Sequence, residues 1–305
     1  MAAISIGDCV GEGFTLIRRR PVSVLCWGLV QTALFVGGFA LMAPFYGDLF
    51  ARMASAKAGV PPTPDIAGMM QMQGVSWLLN LINAFVGAVT YCAIFRAVLR
   101  PEENRFAYLR VSAAELFIFV LIIGAAIAFG IAFVVVMIPA AIVGGIAIAV
   151  HAAPLGILLA VVLGVAGLAA MIYVALRLSL VGPMTVHDRQ FRLTESWALT
   201  KGHVGSLFLM ALCLFAILFG VEMVLGIAGL IVGAGALSLA PGGMAGFSEV
   251  MKQHPAELLQ SLTPALVVGA IVAIPFFGGI LAIGAAPWAK AYEELAGPDI
   301  AATFS

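Results

Sequence analysis

The sequence predicts an all-α, polytopic membrane protein with six transmembrane helices. Its 305 residues are 63% hydrophobic and only 10% charged, which is too little polar surface to cover a soluble globule of this size. Several apolar runs are long enough to cross a hydrocarbon core of about 30 Å. Between these runs lie short connectors that carry most of the charged residues. The formal net charge of zero makes nucleic acid an unexpected partner, because it supplies no bulk positive field.

The six crossings follow from the apolar runs in order. Pro139 or Gly144 is the expected break in the third run, which as one helix would measure about 50 Å and exceed the membrane core. Pro275 predicts a kink in the last crossing. Consecutive prolines stop any helix in the first outer loop, residues 47–74. The predicted crossings are 22–46, 75–100, a run from 116 to 150, 155–178, a run that begins near 204, and 265–288.

An amphipathic lead-in helix is predicted before each pair of crossings, on one side of the membrane. In each, a glutamate stands two residues before an aromatic side chain. Such a helix lies at the membrane surface before the chain turns inward. The lead-ins indicate either a parallel threefold repeat (1–100, 101–182 and 183–305) within one membrane domain, 1–305, or a coincidence among similar segments. Their marker residues are Glu12, Phe14, Arg18, Glu115, Phe117, Glu195, Trp197 and Lys201.

Two further expectations concern the helices themselves. Gly156, Ala160 and Gly164 in the fourth crossing have the spacing of small residues that allow close helix packing. Arg96 and Arg177 stand near the ends of crossings, where long basic side chains extend to lipid headgroups. We therefore expect both guanidinium groups at the membrane surface.

The distribution of basic residues predicts the orientation. Twelve of the fifteen Lys and Arg residues fall on the side of the termini and the charged connectors, and only Arg52, Lys57 and Lys252 fall on the other. The positive-inside rule makes the first side cytoplasmic. The four cysteines are also on that side, so no disulfide is expected. The first apolar run is longer than the 7–15 residues typical of a signal peptide core, which favours a retained crossing.

Three short motifs give the chain a resemblance to a known family. The motifs are Tyr108-Leu109-Arg110 followed by Glu115, the segment 196–202 (SWALTKG), and the segment 286–292 (APWAKAY). They resemble the pattern of a bacterial family of multi-pass inner-membrane proteins, related to the membrane domain found beside some glycerophosphodiester phosphodiesterases. In that family the phosphodiesterase chemistry belongs to a separate soluble domain. The resemblance thus implies a bacterial inner-membrane location and no activity.

No constellation of catalytic residues appears. The four histidines are scattered, and no HExxH, GxSxG or Gly-rich phosphate loop is present. We therefore predict a non-enzymatic integral membrane protein without a cofactor, which organises or regulates the membrane or a membrane complex. Its expected partners are the lipid bilayer and other membrane proteins or further copies of itself.

Two alternatives remain open. Glu222 lies inside an apolar run, and Asn80 and Asn83 share a helical face, so these candidate functional residues favour a transporter or channel for a small or lipid-like solute. An interfacial carboxylate and interhelical hydrogen bonding would explain the same residues. The methionines of the two predicted outer loops, together with His254, suggest Cu(I) handling, because thioether and imidazole ligands suit that ion. These methionines are Met53, Met69, Met70, Met72 and Met251. Methionine is also common apolar filler, so no metal site is assigned.

Overall fold

The computed structural model describes residues 4–55, 66–149, 153–190, 192–239 and 255–297, and this part of the chain is mostly helical, with no β-strand. A short 3-10 turn, Phe106–Tyr108, separates the third and fourth α-helices. The α-helices are α1 (Ile6–Arg19), α2 (Pro21–Ser55), α3 (Ile66–Leu99), α4 (Ala113–Ala149), α5 (Ala153–Leu178), α6 (Val181–Asp188), α7 (Leu193–Leu199), α8 (Val204–Leu239) and α9 (Pro255–Ala296).

Six of these helices are long and apolar enough to cross a membrane, which confirms the all-α multi-pass prediction. They are α2, α3, α4, α5, α8 and α9. In each, the helical backbone pairs most polar main-chain groups within the segment, as a bilayer core demands.

The predicted break in the third apolar run is wrong, because helix α4 runs for 37 residues with Pro139 inside it. Helix α9 runs for 42 residues through Pro275, and the kink expected there stays a prediction. A lone proline removes one donor, whereas ending the helix in an apolar medium would leave several main-chain groups without partners. The first outer loop is also shorter than predicted, because α2 reaches Ser55 and α3 begins at Ile66. Its prolines lie outside the described residues.

The lead-in segments differ from one another. The first is a helix, α1, but the stripe it buries is Cys9, Gly13 and Leu16, while Phe14 on the predicted apolar face is 45% exposed. The second is not a helix: after the 3-10 turn the chain stays irregular until Ala113, since the hydrogen bonds of this stretch go to the turn instead. The third contains only the short helix α7, preceded by α6, which the sequence did not predict.

The chain forms two compact units. The first comprises the described residues of Met1–Gly13, Gly87–Leu212 and Ala285–Ser305. The second comprises those of Phe14–Val86 and Cys213–Gly284. The first unit therefore contains the charged connectors, the α4–α5 hairpin and the ends of α3 and α9 that lead into or out of it.

Small residues bring α4 and α5 together, as predicted. A side chain at Gly156 would collide with Ala147 of α4, and a Cβ at Gly164 would lie 3.9 Å from Met137. The Cβ of Ala160 on α5 lies 3.9 Å from the position that a Cβ at Gly144 of α4 would occupy. Close backbone approach of this kind stabilises helix pairs in lipid, where no hydrophobic effect drives helices together.

Candidate functional site

The first cluster of interest surrounds Arg96 near the end of α3. Its side chain is only 2% exposed, and that of Glu115 is fully buried. Arg96 Nη2 donates to Glu115 Oε1, and Nη1 donates to the carbonyl oxygen of Tyr108 at 3.1 Å. The prediction that this guanidinium extends to lipid headgroups is therefore wrong. A carboxylate and a carbonyl inside the protein replace the water that a charged group would otherwise need.

Glu115 also begins helix α4. Ser112 precedes the helix, and its backbone N–H donates to Glu115 Oε2 at 2.8 Å while its hydroxyl donates to the same oxygen. The bond from the serine N–H to the glutamate three residues later is one half of a capping box at a helix N-terminus. The Ser-x-x-Glu spacing before an apolar run is a sequence signal for this motif. Glu115 is thus buried in the first turn of α4, whereas the sequence predicted a separate lead-in helix there.

The turn between α3 and α4 is strained. Phe106, Ala107 and Tyr108 have φ values of 48°, 55° and 64°, in the left-handed region that disfavours residues with side chains. Tyr108 is 2% exposed and donates its hydroxyl to the Pro101 carbonyl oxygen at 3.1 Å. This anchoring keeps the turn in place, so that the Tyr108 carbonyl faces Arg96. Phe106 is left 89% exposed.

A second buried arginine, Arg177, lies near the end of α5 and is 4% exposed. Its guanidinium carbon is 4.6 Å from the centre of the Trp197 ring, and Nη1 donates to Thr200 Oγ1 at 3.3 Å. Ser196 Oγ donates to the Arg177 carbonyl oxygen at 3.1 Å. The expectation of a headgroup contact is wrong here too. The charge is held by a cation–π contact and the Thr200 hydroxyl oxygen, without a carboxylate within hydrogen-bond reach in the described structure.

A third junction joins the N-terminal helix to the end of α9. The backbone N–H of Ser5 donates to Glu294 Oε2 at 2.8 Å, and Glu12 is in electrostatic range of Lys290. Burial, followed by the nearby Glu294 carboxylate, raises the pKa of the Cys9 thiol to about 12. In all three places the end of a long apolar helix, α3, α5 or α9, is bound by one of the predicted lead-in segments.

Outside the buried clusters, the carboxylate of Glu103 forms ion pairs with three arginines. Glu103 pairs with Arg110 at 2.7 Å, with Arg100 at 3.0 Å and with Arg189 at 3.3 Å. Partial burial acts to raise the pKa of Glu103, but Arg100 and Arg110 outweigh it and hold that pKa below its usual value. Arg100 also donates to the carbonyl oxygen of His187 at the end of α6. The connector after α3 is thereby tied to the segment after α5.

The candidate transport residues lie in the second unit and are exposed. Glu222 is on α8. Asn80 donates to the carbonyl oxygen of Ser76 one turn earlier at 2.9 Å, and Asn83 accepts from Gln31 Nε2 at 3.3 Å. The Gln31–Asn83 bond links α2 to α3 beside a groove of about 380 Å³. The structure does not bring Glu222 and the two asparagines into a common hydrogen-bond network.

The other marker residues are distributed over the surface. Among the described residues, no three His, Cys, Asp or Glu side chains cluster in a way that could hold a metal ion. Met69 and Met70 are exposed on α3, and His254 lies outside the described residues. Of the lead-in markers, the exposed ones are Phe14, Arg18, Phe117, Trp197 and Lys201, and the half-buried ones are Glu12 and Glu195.

Comparison with known proteins adds no identification. No protein-family model, no curated protein and no solved structure matches the chain.

Proposed function

We propose that this chain is a non-enzymatic protein of the bacterial inner membrane that organises or regulates the membrane or a membrane complex through contacts with lipids and other membrane proteins. The observation that carries the proposal is the exposure of the α4–α5 hairpin. In its most apolar stretches, 6% of the α4 residues and none of the α5 residues are buried inside the chain. A hairpin that packs mainly on itself offers its remaining faces to acyl chains or partner helices.

The buried clusters support a structural role for the most protected charges. Arg96, Glu115 and Arg177 each bind neighbours that hold connectors in place. Exposed basic residues such as Arg18 and Lys201 remain for anionic headgroups. This arrangement favours a contact-making protein over a hydrolase.

The orientation we propose places both termini and the charged connectors in the cytoplasm. Single cysteines at Ala58 and Gly246, in a background without the four native cysteines, should react with an impermeant thiol reagent on intact cells. Cysteines at Asn104 and Gln190 should react only after the cells are opened. The reverse labelling pattern would contradict the orientation.

The function is tested by removing the protein from its host and measuring lipid composition and the abundance of intact membrane complexes. Loss of the protein should change one or both, and expression of the wild-type chain should restore them. Arg18→Gln combined with Lys201→Gln should restore them incompletely, because these exposed charges are proposed headgroup contacts. No change on removal of the protein would contradict the proposal.

Transport of a small or lipid-like solute is the second candidate, favoured by a groove whose mostly apolar lining includes Gln31, Asn80 and Asn83. Reconstituted vesicles distinguish the two functions. Solute flux through the wild-type protein that Asn83→Leu abolishes, in protein that still folds, would place transport first.

A further inference from the structure

A pocket of about 280 Å³ opens between the start of α4 and the end of α6, within the first unit. Its polar lining is made mostly of arginine side chains, and we call it the arginine pocket. Arg110 is 44% exposed there and Arg189 is 64% exposed, so both guanidinium groups are reachable from outside. The lining residues are Arg96, Arg110, Ser112, Ala113, Ala114, Val186 and Arg189.

The pocket has an excess of positive charge. Four arginines in and beside it face two carboxylates in the described structure, which leaves two charges uncompensated. In addition, the buried Arg96 Nε donates no hydrogen bond within the described residues. Buried N–H donors normally have partners, and an anion bound beside Arg96 would supply the acceptor. The four arginines are Arg96, Arg100, Arg110 and Arg189, and the two carboxylates are Glu103 and Glu115.

An apolar groove lies beside the arginine pocket. It has a volume of about 600 Å³ and is lined by α4 from Val120 to Val136 and by α5 from Gly167 to Leu178. Ala114 lines the pocket and Leu121 lines the groove, and these residues are about 10 Å apart along α4 at 1.5 Å per residue. A polar site and an apolar channel thus follow one another along a single helix.

We propose that the arginine pocket binds the phosphate of an anionic phospholipid whose acyl chain lies in the α4–α5 groove. Guanidinium groups bind phosphate oxygens through paired, charge-assisted hydrogen bonds, and the two uncompensated charges match an anionic headgroup. The groove favours a lipid over a free phosphate, because only a lipid fills both volumes. This inference rests on the proposed function, in which the arginine-rich end of the protein meets the headgroup region.

The test uses the full chain, purified and stripped of lipid, with binding measured by native mass spectrometry. Phosphatidylglycerol should bind more tightly than phosphatidylcholine, and glycerol 3-phosphate or inorganic phosphate should bind weakly. Arg110→Gln with Arg189→Gln should weaken phosphatidylglycerol binding by about tenfold or more, because each change removes a charge-assisted contact. Arg19→Gln with Arg20→Gln removes the same charge at the end of α1 from two residues that do not line the pocket, and it should leave the binding unchanged.

A matched pair of glycine variants on α4 tests the groove. Gly124 lines the groove and Gly130 does not, and an added Cβ at either position meets no atom within 4 Å. Both phenylalanine variants should therefore fold, as a melting temperature near that of the wild type will show. Gly124→Phe should weaken phosphatidylglycerol binding, and Gly130→Phe should not.

Two outcomes overturn the inference. Equal binding of phosphatidylglycerol by the wild type and by the double arginine variant would remove the pocket as the headgroup site. Binding of inorganic phosphate as tight as that of phosphatidylglycerol, insensitive to Gly124→Phe, would make the site a free-anion site. Neither outcome changes the removal and restoration experiment on membrane composition, so failure here is distinct from failure of the proposed function.

Discussion

The buried Arg96–Glu115 pair is expected to be the most sensitive point in the described structure. Glu115→Gln keeps the size of the side chain and its ability to accept from Ser112, but it leaves the Arg96 charge uncompensated in a site where both side chains are at most 2% exposed. Removing one partner of a buried ion pair costs about 3–5 kcal/mol. We expect the free energy of unfolding to fall by that amount.

The measurement is an SDS titration from mixed micelles, followed by fluorescence of the four tryptophans. Glu293→Gln is the matched control, because Glu293 pairs with Lys290 at 2.9 Å but is 52% exposed, and such pairs contribute about 1 kcal/mol or less. Arg96→Met combined with Glu115→Gln should cost less than the sum of the two single changes, since the double variant carries no unpaired buried charge.

Equal, small losses for Glu115→Gln and Glu293→Gln would refute this reasoning. They would mean that water reaches Arg96 and compensates its charge without Glu115. Strictly additive single changes would refute it as well, because independent residues show no coupling.

Three further predictions use the same protein preparations. Gly156→Ala should lower the free energy of unfolding by about 1–3 kcal/mol, because the new Cβ collides with Ala147, whereas Gly130→Ala should be neutral or stabilise α4 by up to about 1 kcal/mol. Cys9 has a pKa raised to about 12 and therefore stays a neutral thiol at pH 8. It should be alkylated more slowly than a cysteine placed at the exposed position of Ser5 in a Cys9→Ser background, and equal rates would contradict the burial of Cys9. Glu222→Gln should leave both unfolding and the restoration of membrane composition unchanged, and a well-folded variant that fails to restore would favour transport.

The membrane class and the six crossings follow from the sequence, because an apolar run of spanning length has few other stable solutions in a chain with so little charge. The exact helix ends do not. Pro139 would break a helix in water, but a bilayer has no water to satisfy the groups that a break exposes, so the sequence rule overestimates its effect. The second lead-in was mispredicted for a related reason. A polar stretch with an apolar stripe suits a surface helix, yet Tyr108 and its neighbours form a turn that anchors Arg96.

The burial of Arg96 and Arg177 could not be predicted from sequence alone. An arginine near the end of a membrane helix has a side chain long enough either to reach headgroups or to fold back onto its own protein, and hydropathy is the same in both cases. What separates the two is a partner brought close by the chain's path, such as Glu115 for Arg96. The capping-box spacing of Ser112 and Glu115 predicts where α4 begins, but it does not reveal that the same carboxylate also binds an arginine.

The two clusters share a spacing that bears on the proposed repeat. Arg96 and Glu115 are 19 residues apart, and Arg177 is likewise 19 residues from Ser196, which binds its carbonyl oxygen. The two contacts differ in kind, because Glu115 accepts from the guanidinium of Arg96, whereas Ser196 donates to the main-chain carbonyl of Arg177. Because a serine cannot neutralise a guanidinium, the second cluster needs another source of negative potential, and the Trp197 ring at 4.6 Å provides it. The equal spacing agrees with the predicted repeat, but the contacts of the two segments do not correspond, so the repeat stays a prediction.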